Sequence, residues 1–176
     1  GAPTAIELSR DYLWRIHQKV PAKGKIVVFN RSHYEDVLVV RVNELVPKQV
    51  WKKRYEHLRE FEQMLADEGT LILKFYLHID ADEQRRRLQA RLDEPEKNWK
   101  FDAHDLEQRR KWKDYMRAYR DAIVATHRKD APWFVIPSNR KWFRDYAMLR
   151  IIVDALKRLD PQFPKPDFDP ASIVID

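Results

Sequence analysis

The chain has 176 residues, with 34 lysines and arginines against 28 aspartates and glutamates, three glycines, ten prolines and no cysteine. That length suits one compact domain, and a 44% hydrophobic content with six Trp, eight Phe and seven Tyr excludes a wholly disordered chain. Without cysteine there is no disulfide, thiolate metal site or cysteine nucleophile; no apolar run approaches the ~20 residues of a membrane span; and the net charge of +6 favours anionic partners, so a soluble, cytoplasmic protein is expected.

Thr4 and Glu7 form a T-x-x-E capping box that predicts a first helix running to about Gln18, with Ala5, Leu8, Tyr12, Leu13 and Ile16 on one face. Pro21 and Gly24 break the chain before Ile26-Val27-Val28-Phe29, a continuous apolar run that reads as a strand buried on both faces. The polar loop Asn30-Arg31-Ser32-His33 leads into Tyr34 to Leu45, read as a helix despite its valines. Pro47 suits the first position of the next helix, whose Trp51, Tyr55, Leu58, Phe61 and Leu65 make an amphipathic stripe that ends before Gly69. Leu71 to Ile79 is the second strand, and Asp80 with Glu83 opens an arginine-rich helix that Pro95 ends. Asp102 and Asp105 open a long helix in which Trp112, Tyr115, Tyr119 and Ile123 share a face. Trp133 to Ile136 is the third strand, and the helix after Ser138 carries Trp142, Tyr146, Leu149, Val153 and Leu156 along one side. The domain therefore occupies residues 1–160, and Pro161, Pro164, Pro166 and Pro170 mark residues 161–176 as an extended tail.

Three strands separated by helices predict an α/β doubly wound domain, in which ligands bind beyond the carboxyl ends of the strands. The residues after Phe29, Ile79 and Ile136 are the site candidates, and all three places are polar. The first, Asn30 to Asp36, combines an amide, a guanidinium, a hydroxyl and two carboxylates. Arginine there can hold phosphate in bidentate fashion and a carboxylate can hold Mg²⁺, although an ordinary capping loop has the same composition. From Arg85 to Arg117 basic residues alternate with Trp99, Phe101 and Trp112, a pattern that suits a basic lid over a polyanion and also an exposed helical hairpin, because eight acids from Glu83 to Asp114 offset much of the charge. Arg140, Lys141 and Arg144 open the last helix, where a bound anion would offset their unfavourable place at the dipole's positive end. The glycines Gly1, Gly24 and Gly69 are too far apart for a phosphate-cradling loop, and the six histidines have no metal-site spacing.

Four segments in one order carry a resemblance: Asp11-Tyr12-Leu13-Trp14-Arg15-Ile16-His17, Val28 through Leu38 (VFNRSHYEDVL), Asn98-Trp99-Lys100-Phe101, and Ala131-Pro132-Trp133-Phe134-Val135-Ile136-Pro137 followed by Arg140-Lys141-Trp142. The chain resembles the polyphosphate kinase 2 family, and the FNRSHYEDVL form resembles its class III branch, which phosphorylates nucleoside mono- and diphosphates. The resemblance implies an α/β P-loop kinase-like three-layer domain, with a parallel sheet and a helical lid at about residues 81–117. It also implies Mg²⁺ as cofactor and phosphoryl transfer between inorganic polyphosphate and AMP, ADP or ATP. It gives catalytic roles to Arg31, Asp36 and Arg91, with Asp36 on Mg²⁺. Nucleotide and phosphate contacts fall to Asn30, Glu35, Arg87, Lys97, Lys100, Arg109, Arg140, Lys141 and Arg144. Family members carry a strand and a glycine-rich Walker A loop upstream of the first residue of this sequence, so the chain is expected to be an N-terminally truncated, inactive piece of the kinase. Exposed sheet edges then favour a homo-oligomer; membrane and nucleic acid are not expected partners. Two other readings stand beside this one: a non-catalytic polyanion-binding module, and an ATP-dependent nucleotide kinase of the thymidylate type.

Overall fold

The computed structural model describes residues 3–169 and 172–173. In chain order it has the short helices α1 (Ala5–Leu8) and α2 (Trp14–His17), a 3₁₀ turn (His33–Asp36), α3 (Val39–Val42), the long α4 (Lys48–Asp67) and strand β1 (Lys74–His78). There follow α5 (Ala81–Asp93), a 3₁₀ segment (Pro95–Lys100), α6 (His104–Arg110), α7 (Trp112–Thr126), β2 (Trp133–Pro137) and α8 (Lys141–Leu159). No helix among the described residues is long and apolar enough to cross a membrane.

The two strands pair in parallel, from Lys74 opposite Trp133 to His78 opposite Pro137. Parallel strands need a long crossover, and α5 to α7 supply it. The pairing puts Phe75 on Phe134 at 5.6 Å between ring centroids, while Tyr76 stacks on Tyr119 of α7 at 4.5 Å and Trp133 meets Tyr34 edge-on at 4.7 Å. Ala118 and Ala122, one turn apart on α7, are small enough for the 3₁₀ turn and α4 to approach closely. Together with Tyr34, Val37, Leu38 and Leu58 they make the core.

The elements agree with the sequence where a helix stripe is long. Helix α4 begins just after Pro47, which sits at its N-cap, and stops before Gly69, whose φ of +87° is the left-handed conformation glycine tolerates at a helix end. Asp80 caps α5 by accepting from the Glu83 amide at 2.7 Å.

Several expectations are corrected. The first helix is two single turns: the Thr4–Glu7 capping box forms, but Ser9 Oγ donates to the Ile6 carbonyl at 2.8 Å and Asp11 Oδ1 accepts from the Leu13 amide at 3.0 Å. Such local bonds offer the backbone an alternative to helix and end it. Residues Ile26–Phe29 form no strand, because no neighbour among the described residues supplies a ladder; Ile26 and Val28 are 76% and 86% exposed. Among the described residues the sheet accordingly has two strands instead of three. Tyr34 to Leu45 is a 3₁₀ turn and one helical turn, broken where Val37 and Leu38 turn into the core; its branched valines lower helix propensity. The long helix after Asp102 is divided at Lys111 into α6 and α7. On α8 the stripe Trp142, Tyr146, Leu149 and Val153 faces outward, and of that helix only Ala155 is buried.

Candidate functional site

The 3₁₀ turn carries two candidate carboxylates on consecutive residues. Ser32 Oγ caps the turn by accepting from the Tyr34 amide at 3.3 Å, and Arg31 before it has φ +64°. That left-handed conformation costs a non-glycine residue about 1 kcal/mol or more. It leaves Arg31 exposed, beside Asn30, without an ion pair among the described residues.

Asp36 is tied down: its Oδ1 accepts from Arg54 Nη1 at 2.7 Å, the same nitrogen reaches the Asp36 carbonyl at 3.2 Å, and the guanidinium lies over the Tyr12 ring at 4.5 Å. Burial nevertheless raises the Asp36 pKa above its ordinary value, with Arg54, Arg15 and His33 opposing. Glu35, partly buried, has no hydrogen bond or ion pair to its carboxylate among the described residues. Its pKa is also raised, by burial first, with Asp36 adding and Arg31 opposing.

The consequence for stability has a definite sign. An elevated folded pKa means that the ionised Glu35 is penalised in the native state, so its contribution is fullest below the unfolded value near 4.5 and is lost as pH rises through the folded value. Glu35→Gln, which does not titrate, is expected to melt above the wild type at about pH 7, with the gap shrinking at about pH 4. Thermal unfolding at the two pH values checks this; an equal gap at both would contradict it.

At the carboxyl ends of the strands two loops are joined. The Asp80 amide donates to Asn139 Oδ1 at 3.1 Å, and Asn139 Nδ2 donates to Asp80 Oδ2 at 2.6 Å. Arg87 crosses the same junction, with Nη2 on the Ser138 carbonyl at 2.7 Å and Nε on Glu83 at 2.6 Å. Arg109 Nη1 reaches from α6 to the Ala81 carbonyl at 2.7 Å and Gln84 Oε1 at 2.9 Å, and Arg91 Nη1 holds Asp105 at 2.7 Å and the Lys100 carbonyl at 3.2 Å. Lys97 pairs with Glu94, and Arg144 with Asp145 at 2.7 Å. Arg87, Arg91 and Arg109 thus fasten the α5–α6 segment to itself and to the strand ends. Lys100, over the Trp99 ring at 5.0 Å, and the exposed Arg140 and Lys141 have no ion pair among the described residues.

Two links unite these parts. Asn43, just after α3, accepts from Lys111 Nζ at 2.6 Å and donates to Gln108 and to the Tyr115 hydroxyl, both at 3.3 Å, so the carboxylate segment and the α6–α7 joint are clamped together. Tyr119 stacks on Tyr76 of β1 and lies within electrostatic reach of Glu35 and Arg31.

Arg54 and Asn43 were not picked out from the sequence, and nothing in their local pattern marks them; Asn139 lies in the polar segment after the last strand that the sequence did single out. Two others left a signal: Glu62 falls in the Trp51, Tyr55, Leu58 stripe, and Lys74 interrupts the apolar run Leu71-Ile72-Leu73 before Phe75. A charge inside an apolar pattern points to a buried partner, and the two are indeed paired at 2.5 Å.

No group of three or more potential metal-ligating side chains occurs among the described residues. Mg²⁺, however, commonly uses one or two carboxylates together with substrate phosphates and water, and the adjacent Glu35 and Asp36 fit that requirement.

An α/β protein with arginine-rich helices fastened over the strand ends and paired carboxylates on the preceding turn is a class of architecture suited to phosphate ligands. The family model for polyphosphate kinase 2 matches residues 1–164, and the chain belongs to the polyphosphate kinase 2 family. It is 61% identical over 176 residues to an AMP/ADP-polyphosphate phosphotransferase of Meiothermus ruber, covering all of this chain and 66% of that protein. It is 45% identical over 175 residues to an ADP-polyphosphate phosphotransferase of Rhodopseudomonas palustris, covering 93% and 61%. The crystal structure of polyphosphate kinase 2 from Arthrobacter aurescens TC1 superposes with a TM-score of 0.94 at 46% identity, over 98% of this chain and 61% of that one. The chain therefore spans roughly three-fifths to two-thirds of the length of these relatives.

Proposed function

We propose that the full-length gene product transfers the terminal phosphoryl group of inorganic polyphosphate to AMP or ADP, or runs the reverse reaction. The observation that carries this is the 61% identity, over every residue of the chain, to a relative named for both AMP and ADP. Within that reading the fold is a P-loop kinase-like three-layer domain, residues 81–117 are its lid, and residues 161–169 belong to an extended tail, of which residues 170–171 and 174–176 lie outside the described residues.

In the reaction an oxygen of the nucleotide's terminal phosphate forms a bond to the terminal phosphorus of polyphosphate, and the bond from that phosphorus to the bridging oxygen breaks, leaving the polymer one unit shorter. Phosphoryl transfer asks a protein mainly for positioning and charge stabilisation. Arg31, Lys100, Arg140 and Lys141, which have no ion pair among the described residues, supply positive charge for phosphates, with Asn30 beside Arg31. Arg87, Arg91 and Arg109 orient the lid through the bonds given above, with donors left over for phosphate oxygens. Lys97 and Arg144 are held by neighbouring acids and serve as secondary contacts. Mg²⁺, when bound, would neutralise charge on the transferring phosphates, and Asp36 with Glu35 would hold it.

The test is production of ADP and ATP from AMP plus polyphosphate by the purified full-length gene product, with ATP as donor in a parallel reaction. Product from polyphosphate supports the reading. Product from ATP alone indicates a kinase of the thymidylate type. Binding of polyphosphate that weakens with salt, without turnover, indicates a polyanion-binding module.

A further inference from the structure

We infer that the Tyr34 hydroxyl, locked by the buried Glu62 and Lys74, is the anchor that positions the Glu35 and Asp36 carboxylates. The inference rests on the phosphotransfer reading above for its catalytic consequence and on geometry alone for the anchor.

Tyr34 lies in the same 3₁₀ turn as the two acids, yet it points the other way: its side chain is buried while Glu35 and Asp36 stay partly exposed. Its hydroxyl donates to Glu62 Oε1 at 2.7 Å and accepts from Lys74 Nζ at 3.0 Å; the same ammonium donates to Glu62 Oε2 at 2.5 Å and to the Thr126 carbonyl at 2.9 Å. All three ammonium donors are thereby used, and each carboxylate oxygen has a partner. The ring of bonds spans four separate elements: the turn, the C-terminal half of α4, the first residue of β1 and the last residue of α7.

The turn's own hydrogen bonds run from this residue. The Tyr34 carbonyl accepts from the Val37 amide at 3.0 Å and from the Leu38 amide at 3.1 Å. A movement of the Tyr34 ring therefore displaces the backbone that carries both carboxylates. Apolar side chains of similar volume would stabilise such a core as well as an ion pair does, so what the polar ring adds is direction: a hydroxyl with one donor and one acceptor in fixed places has one seat. His33 supports it from the side. Its ring lies 5.0 Å from that of Tyr34 and 5.8 Å from that of Phe61, with Nε2 3.6 Å from Glu62 Oε1. Burial, then Glu62, raises the Tyr34 pKa far above the usual phenol range, so the hydroxyl keeps its proton and remains a donor.

The test is Tyr34→Phe in the full-length gene product, which keeps the ring against Trp133 and removes only the hydroxyl. Hydrogen–deuterium exchange is expected to be at least about tenfold faster at the amides of residues 35–38 and unchanged along α8. The rate of ADP phosphorylation by polyphosphate is expected to fall about 10- to 100-fold, with the nucleotide KM within about threefold of wild type. Ile136→Val, a core truncation away from the ring of bonds, serves as the control for stability alone: it lowers the melting temperature and leaves both the exchange at residues 35–38 and the rate near wild type. Wild-type exchange at residues 35–38 in Tyr34→Phe, or a rate within threefold of wild type, overturns the inference. If the wild type makes no nucleotide product, the phosphotransfer reading fails, and the exchange measurement alone decides whether the hydroxyl is the anchor.

Discussion

Lys74→Met is expected to lower the unfolding free energy of the full-length protein by about 3 to 5 kcal/mol, the usual loss when one member of a buried ion pair is removed and the other is left. The argument is one of solvation. Glu62 is 1% exposed and Lys74 7% exposed, so neither charge has water to fall back on. Burial lowers the Lys74 pKa and the carboxylate of Glu62 opposes that shift, which places the two on a balance that either removal upsets. The methionine is close in volume to lysine and leaves no large cavity, so the loss is electrostatic rather than steric. The Thr126 carbonyl also loses its donor from Lys74, which adds a smaller cost of about 1 kcal/mol or more. The double change Glu62→Gln with Lys74→Met removes both charges and retains an acceptor for the Tyr34 hydroxyl; it is expected to recover most of the loss. Denaturant unfolding of the wild type and both variants measures this. A single-variant loss under about 1 kcal/mol would mean that the pair is hydrated and does not fix the core.

What the sequence revealed and what it hid follow from the same physics. Periodicity reports which side of an element is apolar, so the α4 stripe was legible, and the strands expected at 71–79 and 133–136 overlap the paired ones, Lys74–His78 and Trp133–Pro137. It does not report what covers that side. The four apolar residues at 26–29 have the pattern of a buried strand and lack a neighbour to pair with among the described residues, and the α8 stripe from Trp142 to Val153 is exposed for the same want of a partner. Short polar residues hid the other differences. Ser9 and Asp11 end the first helix through single local bonds, which a face-counting argument passes over. For the site, the polar places after the strands were legible, and the structure does join the ends of β1 and β2 through Asp80, Asn139 and Arg87. The division of labour among the arginines was not. Composition counts charges without saying which face a phosphate and which face a carbonyl. Arg87, Arg91 and Arg109 spend donors on the chain itself, and Arg54, on α4, turns out to grip Asp36.

That grip sets the second large expectation. Asp36→Asn in the full-length protein is expected to lower polyphosphate-dependent phosphorylation of ADP by at least about 100-fold, the effect of removing one well-placed electrostatic group, worth roughly 2.7 to 4 kcal/mol of barrier. The substitution is chosen because it isolates charge from structure. An asparagine Oδ1 can still accept from Arg54 Nη1, as Asp36 does at 2.7 Å, and Arg54 can still lie over Tyr12. The turn should therefore keep its place, and the melting temperature should stay near that of the wild type or rise, since burial disfavours the ionised Asp36. Loss of activity with a preserved fold assigns the negative charge to the reaction. Arg54→Met gives the complementary case: the stem can still cover Tyr12, Asp36 keeps its charge and loses its tether, and the expected fall is smaller, about tenfold, because a freed carboxylate reaches its working position only part of the time. If Asp36→Asn retains more than about a tenth of the wild-type rate while folded, Asp36 serves to seat Arg54, and the charge the reaction needs at this turn must come from Glu35.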